Sequence, residues 1–72
     1  MRELTVHVEG QGYRGGWDTW HDEHHGRMVQ VSYKGWMVQG PVRDGDPERI
    51  ALFLLQWCVE RALHGMHPGR SL

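Results

Sequence analysis

Residues 28–42 read Met28-Val29-Gln30-Val31-Ser32-Tyr33-Lys34-Gly35-Trp36-Met37-Val38-Gln39-Gly40-Pro41-Val42, and their parity decides the fold. Apolar and polar residues alternate up to Lys34-Gly35 and again after it, the signature of two half-buried strands. Partners in a two-residue hairpin have a constant index sum. A sum of 69 sets Tyr33 opposite Trp36, Val31 opposite Val38 and Val29 opposite Gly40, which puts every large apolar or aromatic residue except two methionines on one side. A three-residue loop would pair Val31 with Met37 and Gln30 with Val38, mixing the sides. The two-residue register is therefore expected, although a type I′ turn asks Lys34 for a positive φ that lysine adopts poorly. Pro41 cannot donate to a ladder, which marks this strand as an edge there or as ending.

Downstream, Arg43-Asp44-Gly45-Asp46-Pro47-Glu48 is a helix start. Asp46 suits the N-cap, Pro47 the first helical position, and Glu48 the positive end of the helix dipole. The helix is expected over 47–64, with Gly65 just past its end and Pro68 beyond, followed by a frayed tail over 65–72. Upstream, Leu4, Val6 and Val8 alternate with Thr5, His7 and Glu9, giving a first strand over about 3–9. Hairpin 27–42 completes a single α+β domain in the order β-β-β-α, a small three-stranded antiparallel sheet packed on one C-terminal helix.

The segment 10–26 between the first two strands reads as a long loop. It holds five of the ten glycines, two of the four tryptophans and three of the six histidines. A loop of this length inside a compact domain is functional or contains a further element, here a short strand over Tyr13 to Trp20.

On the helix, Ile50, Phe53, Leu54, Trp57 and Cys58 form one apolar stripe, the expected partner of the hairpin's apolar side. A second stripe, Leu52, Leu55, Val59, Ala62 and Met66, follows heptad spacing. Small domains have little core to spare, and each large side chain left in water forgoes about 1.5–3 kcal/mol. Either the long loop covers the second stripe with Tyr13, Trp17 and Trp20, or another chain does, a second copy packing helix to helix or a different partner. The expectation is a homodimer through Leu52, Leu55, Val59, Leu63 and Met66.

Length and composition bound the function. The 72 residues are too few for a doubly wound nucleotide-binding sheet or a (β/α)₈ barrel. One cysteine, Cys58, allows no internal disulfide and suits a reducing compartment. The start lacks the apolar core of a secretory signal and no run is long enough to span a bilayer, so a cytoplasmic location without membrane contact is expected. The net charge of −1 exerts no general pull on nucleic acid.

Several groupings offer chemistry. His21-Asp22-Glu23-His24-His25 supplies imidazoles and carboxylates, with His21, His24 and His25 as weak metal candidates, and His64 and His67 stand at i, i+3 spacing. Zinc sites draw ligands from two separated pairs, and nothing in the spacing brings these together. Gly10-Gln11-Gly12-Tyr13-Arg14-Gly15 matches G-x-G-x-x-G but lacks the following helix that a pyrophosphate requires, so its glycines read as hinges. Ser32 and Ser71 lack a nucleophile-elbow context. Cys58, mid-helix, reads as a core thiol. No catalytic residue and no cofactor is expected.

With Tyr33-Lys34-Gly35-Trp36 at the hairpin tip, residues 28–64 resemble the AP2-type and integrase arm-binding domains. The resemblance implies DNA binding through the outer sheet face. The outward residues Met28, Gln30, Ser32, Met37 and Gln39 depart from it, because they include no Arg or Lys for phosphates or guanine. The favoured expectation is a non-enzymatic module that binds a protein, with Tyr13, Arg14, Trp17, Asp18 and Trp20 as contacts, since Trp, Tyr, Arg and Met are enriched in interfaces. Small stand-alone domains of this kind occur among inhibitors encoded by phages and mobile elements, anti-CRISPR proteins included. DNA binding and metal binding are the alternatives.

Overall fold

Alternating residues organise nearly the whole first half of the chain. The computed structural model describes residues 2–43 and 45–65. It contains four strands, β1 (Arg2–Val8), β2 (Gln11–Asp22), β3 (Gly26–Tyr33) and β4 (Trp36–Pro41), followed by helix α1 (Pro47–Leu63). The strands form an antiparallel meander in sheet order β1-β2-β3-β4. The α+β class and the C-terminal helix stand as expected from sequence. The sheet has four strands instead of three, because 10–26 is not a loop but the longest strand and its two turns. The expected tail over 65–72 lies, beyond Gly65, outside the described residues.

The physical reason is legible in the register. Val6 pairs with Tyr13, Leu4 with Gly15 and Arg2 with Trp17, and Trp17 in turn faces Val31. Tyr13, Gly15, Trp17 and Thr19 thus continue a period-two pattern in which a glycine occupies an apolar position. The Gly15 site is filled from above: a Cβ there would stand 2.5 Å from Leu55 Cδ1 and 2.9 Å from the Ser32 carbonyl oxygen. The strand gives up a side chain so that the helix can approach its backbone.

Two turns are tight. Glu9 (φ 53°) with Gly10 (φ 82°), and Lys34 (φ 43°) with Gly35 (φ 87°), both take the left-handed pair of a type I′ hairpin. The register of β3 on β4 is the one parity predicts, with Tyr33 opposite Trp36 and Val31 opposite Val38.

The helix begins as expected. Asp46 accepts a 3.0 Å bond from the Glu48 amide, Pro47 opens the first turn and Glu48 is its acid. His64 is the C-cap and Gly65 follows with φ 78°.

Its rotation about its own axis differs from expectation. Ala51, Leu55, Cys58 and Val59 have no exposed surface and meet Val29, Val31, Tyr33, Trp17 and Val6 in one core. Phe53 and Trp57, expected to face the sheet, stand outside at 70% and 36% exposure. The helix is turned by roughly 100°, the angle of one residue. The two apolar stripes together exceed what one sheet can cover, so periodicity alone could not choose between them. The vacancy above Gly15 chooses, because it admits Leu55.

Candidate functional site

Where α1 runs beside β4, the half-buried Trp36 joins the exposed Trp57 and Phe53 in one aromatic group. Trp36 and Trp57 meet edge to face, ring centroids 5.9 Å apart and planes at 90°. The Arg61 guanidinium stacks 4.5 Å from the Trp57 centroid. Phe53 lies one helical turn before Trp57 on the same side. Grooves flank it, one of about 310 Å³ lined by Gly45, Asp46, Arg49, Ile50 and Phe53, the other by Phe53, Gln56, Trp57 and Glu60. Edge-to-face geometry holds Trp57 in place, so this surface is formed in advance and loses little entropy on contact.

The residues expected to contact a partner are divided by β2. Trp17 is in the core at 4% exposure, with the Arg2 guanidinium 5.1 Å above its ring. Tyr13 is half-buried on the same side and donates its hydroxyl to Gln11 Oε1 at 3.1 Å. Arg14, Asp18 and Trp20 alternate onto the opposite, open face. Arg14 makes an exposed ion pair with Glu3 at 3.7 Å, and Asp18 accepts from the Thr19 amide at 2.9 Å. Trp20 is 38% exposed and leads a row across three strands, Trp20, Met28 and Pro41. The next row is polar, Asp18, Gln30 and Gln39, its last two amides joined at 2.9 Å.

The seam expected to carry self-association needs correction. Leu55 and Val59 have no exposed surface because they pack on the sheet, and Leu52 is partly buried against the same core. Leu63 is 45% exposed, and Met66 lies outside the described residues. β2 widens the sheet, and the sheet covers Leu55 and Val59 of this seam within one chain.

At the far end, Asp22 ties the β2–β3 turn. Its Oδ1 accepts from the His24 amide at 3.1 Å and its Oδ2 lies 2.8 Å from His25 Nδ1. The hydrogen bond from His25, then that from the His24 amide, holds the Asp22 carboxyl below its ordinary 3.8. Among the described residues no three His, Cys, Asp or Glu side chains are grouped to hold a metal. His21, on β2 opposite Arg27, joins neither bond. Burial pushes the Cys58 thiol up, away from the thiolate that nucleophilic chemistry uses. No helix among the described residues is long and apolar enough to cross a membrane.

No family model, curated protein or solved structure matches the chain. Any functional reading therefore rests on the residues themselves. Sequence reasoning missed Phe53 and Trp57 as a surface because it assigned both to the core, whereas Trp36, expected on the core side, is half-buried and packs there. The available signal was the excess of apolar arc on the helix, which showed that one side must stay out without showing which.

Proposed function

We propose that this domain is a non-enzymatic protein-binding module, and that its contact surface is the aromatic edge formed by Trp36, Phe53 and Trp57. The supporting observation is Phe53. It stands 70% exposed, while the smaller Ala51 and Cys58 on the same helix have no exposed surface. Leaving a phenylalanine in water forgoes about 1.5–3 kcal/mol, a large share of the stability of a small domain. Tryptophan, phenylalanine and arginine at the centre of a surface are the composition of interface anchors. Action by masking a partner's surface is the mode of a small inhibitor of the anti-defence kind.

The sheet-face DNA reading has weaker support. The rows of the open face carry Asp18 and Asp22, and their cation Arg14 is engaged by Glu3, whereas phosphate binding wants free positive charge.

The test is capture from lysate of the source cell, quantified by mass spectrometry, with the tagged domain and its Phe53→Ser variant. Phe53 is exposed, so the variant should unfold at the wild-type temperature. A partner recovered with the wild type and lost with the variant is the expected result. Equal recovery with Phe53→Ser and Trp57→Ser overturns the assignment of the surface.

A further inference from the structure

The backbone along β4 adds a second recognition element to that aromatic edge. In a two-residue hairpin the residues flanking the turn exchange both backbone hydrogen bonds, and bonded and non-bonded pairs then alternate along the ladder. Lys34-Gly35 makes Tyr33 and Trp36 such a pair, and the Val42 amide donating to the Arg27 carbonyl at 2.9 Å keeps the same phase at the other end. Trp36, Val38 and Gly40 therefore direct their backbone groups to β3. Met37 and Gln39 direct theirs out of the sheet.

The other edge has the same geometry but a different setting. The Glu9-Gly10 turn leaves the backbone groups of Glu3, Thr5 and His7 outward on β1, with acids at positions 3 and 9. Beside β4 stands the aromatic wall, and the stretch 34–43 carries a cation at each end, Lys34 and Arg43, with no acid between. Neither cation joins an ion pair among the described residues.

We propose that the β4 edge is a strand-addition site for an extended segment of a partner protein that has an acidic residue towards each end. The added strand bonds to the Met37 and Gln39 backbone, rests apolar side chains on Phe53 and Trp57, and places its acids at Lys34 and Arg43. This proposal rests on the protein-binding reading above.

A second copy of the chain fits the edge less well. Antiparallel pairing of β4 with itself about Val38 would set Lys34 beside Val42 and Arg43 of the other copy, and like charges across an interface are repulsive. The exposed parts of Phe53 and Trp57 amount to on the order of 200 Å². A stable interface needs about 800 Å² on each side. A peptide strand suits the smaller area, because its main-chain bonds supply affinity that area does not.

The probe is a displayed library of random dodecapeptides selected on the intact domain. Enriched sequences should carry acids flanking an apolar, β-branched stretch, and their affinity should fall about tenfold with Gln39→Pro and with the double reversal Lys34→Glu/Arg43→Glu. Proline at 39 removes an outward N–H and the exposed side-chain bond to Gln30, and is tolerated on an edge. Should that variant fail to fold, the charge reversal and amide exchange still decide: bound peptide should protect Met37 and Gln39, and not Thr5 and His7. Absence of binders, or binders that ignore the charge reversal and leave the Met37 and Gln39 amides unprotected, overturns strand addition. If lysate capture nevertheless depends on Phe53, the protein-binding reading stands without it. Peptides that bind β4 while capture ignores Phe53 and Trp57 support the edge and overturn the aromatic surface.

Discussion

Replacing Gly15 by alanine places a methyl group where the helix already sits. The new Cβ would stand 2.5 Å from Leu55 Cδ1, 3.3 Å from Cδ2 and 2.9 Å from the Ser32 carbonyl oxygen. Leu55 has no exposed surface and cannot step aside into water, and Ser32 offers backbone that the sheet holds in place. Gly15 is not among the residues with positive φ, so alanine meets no conformational penalty of its own and the effect is steric. Forcing a methyl group into a filled core costs about 1–3 kcal/mol. Loss of glycine freedom in the unfolded chain returns about 0.4–1 kcal/mol. The net loss is about 1–2 kcal/mol, or a fall in Tm of roughly 4–16 °C for a domain of this size. Thermal and urea unfolding of Gly15→Ala, Leu55→Ala and the double variant measure it. Leu55→Ala alone should cost about 2–5 kcal/mol. The double variant should cost less than the two together by about 0.5–3 kcal/mol, because each change removes the clash or fills the space the other makes. A Gly15→Ala protein as stable as the wild type, or costs that simply add, would refute the claim that Gly15 admits the helix.

Two other measurements probe the turns. Glu9 holds φ 53° before Gly10, a conformation that costs most side chains and that asparagine accepts, so Glu9→Asn should stabilise the domain by about 0.5–1 kcal/mol; an unchanged or lower Tm counts against the strained turn. The Asp22 carboxyl should titrate by NMR below 3.8 and move back towards it in His25→Ala, since the His25 hydrogen bond is the largest cause of the lowering. Because the folded value is depressed, what this bond gives the turn is complete above the unfolded carboxylate range and is lost as pH falls through the lowered folded value. The same midpoint in both proteins would show that the bond does not form in solution.

Local signals carried much of the fold. Parity about Lys34-Gly35 set the β3–β4 register, and Asp46-Pro47-Glu48 set the start of α1, because turns and caps are decided by neighbours in the chain. The strand β2 was half legible. Tyr13, Trp17 and Thr19 keep period two, but Gly15 breaks the apolar pattern, and the reason for a glycine there is a leucine forty positions later. The candidate site was less legible still. Of the five residues expected to contact a partner, Arg14, Asp18 and Trp20 lie on the open face of the sheet, while Tyr13 and Trp17 alternate to the core side.

The sequence by itself determined an antiparallel hairpin, a capped C-terminal helix and an excess of apolar surface on that helix. Only the tertiary structure decided which side of the helix remains outside. Heptad and 3.6-residue periodicities both fit an apolar arc wider than any one sheet, so the choice falls to shape: Leu55 fills the space that Gly15 leaves empty, and that single fit turns Phe53 and Trp57 outward beside the open edge of β4.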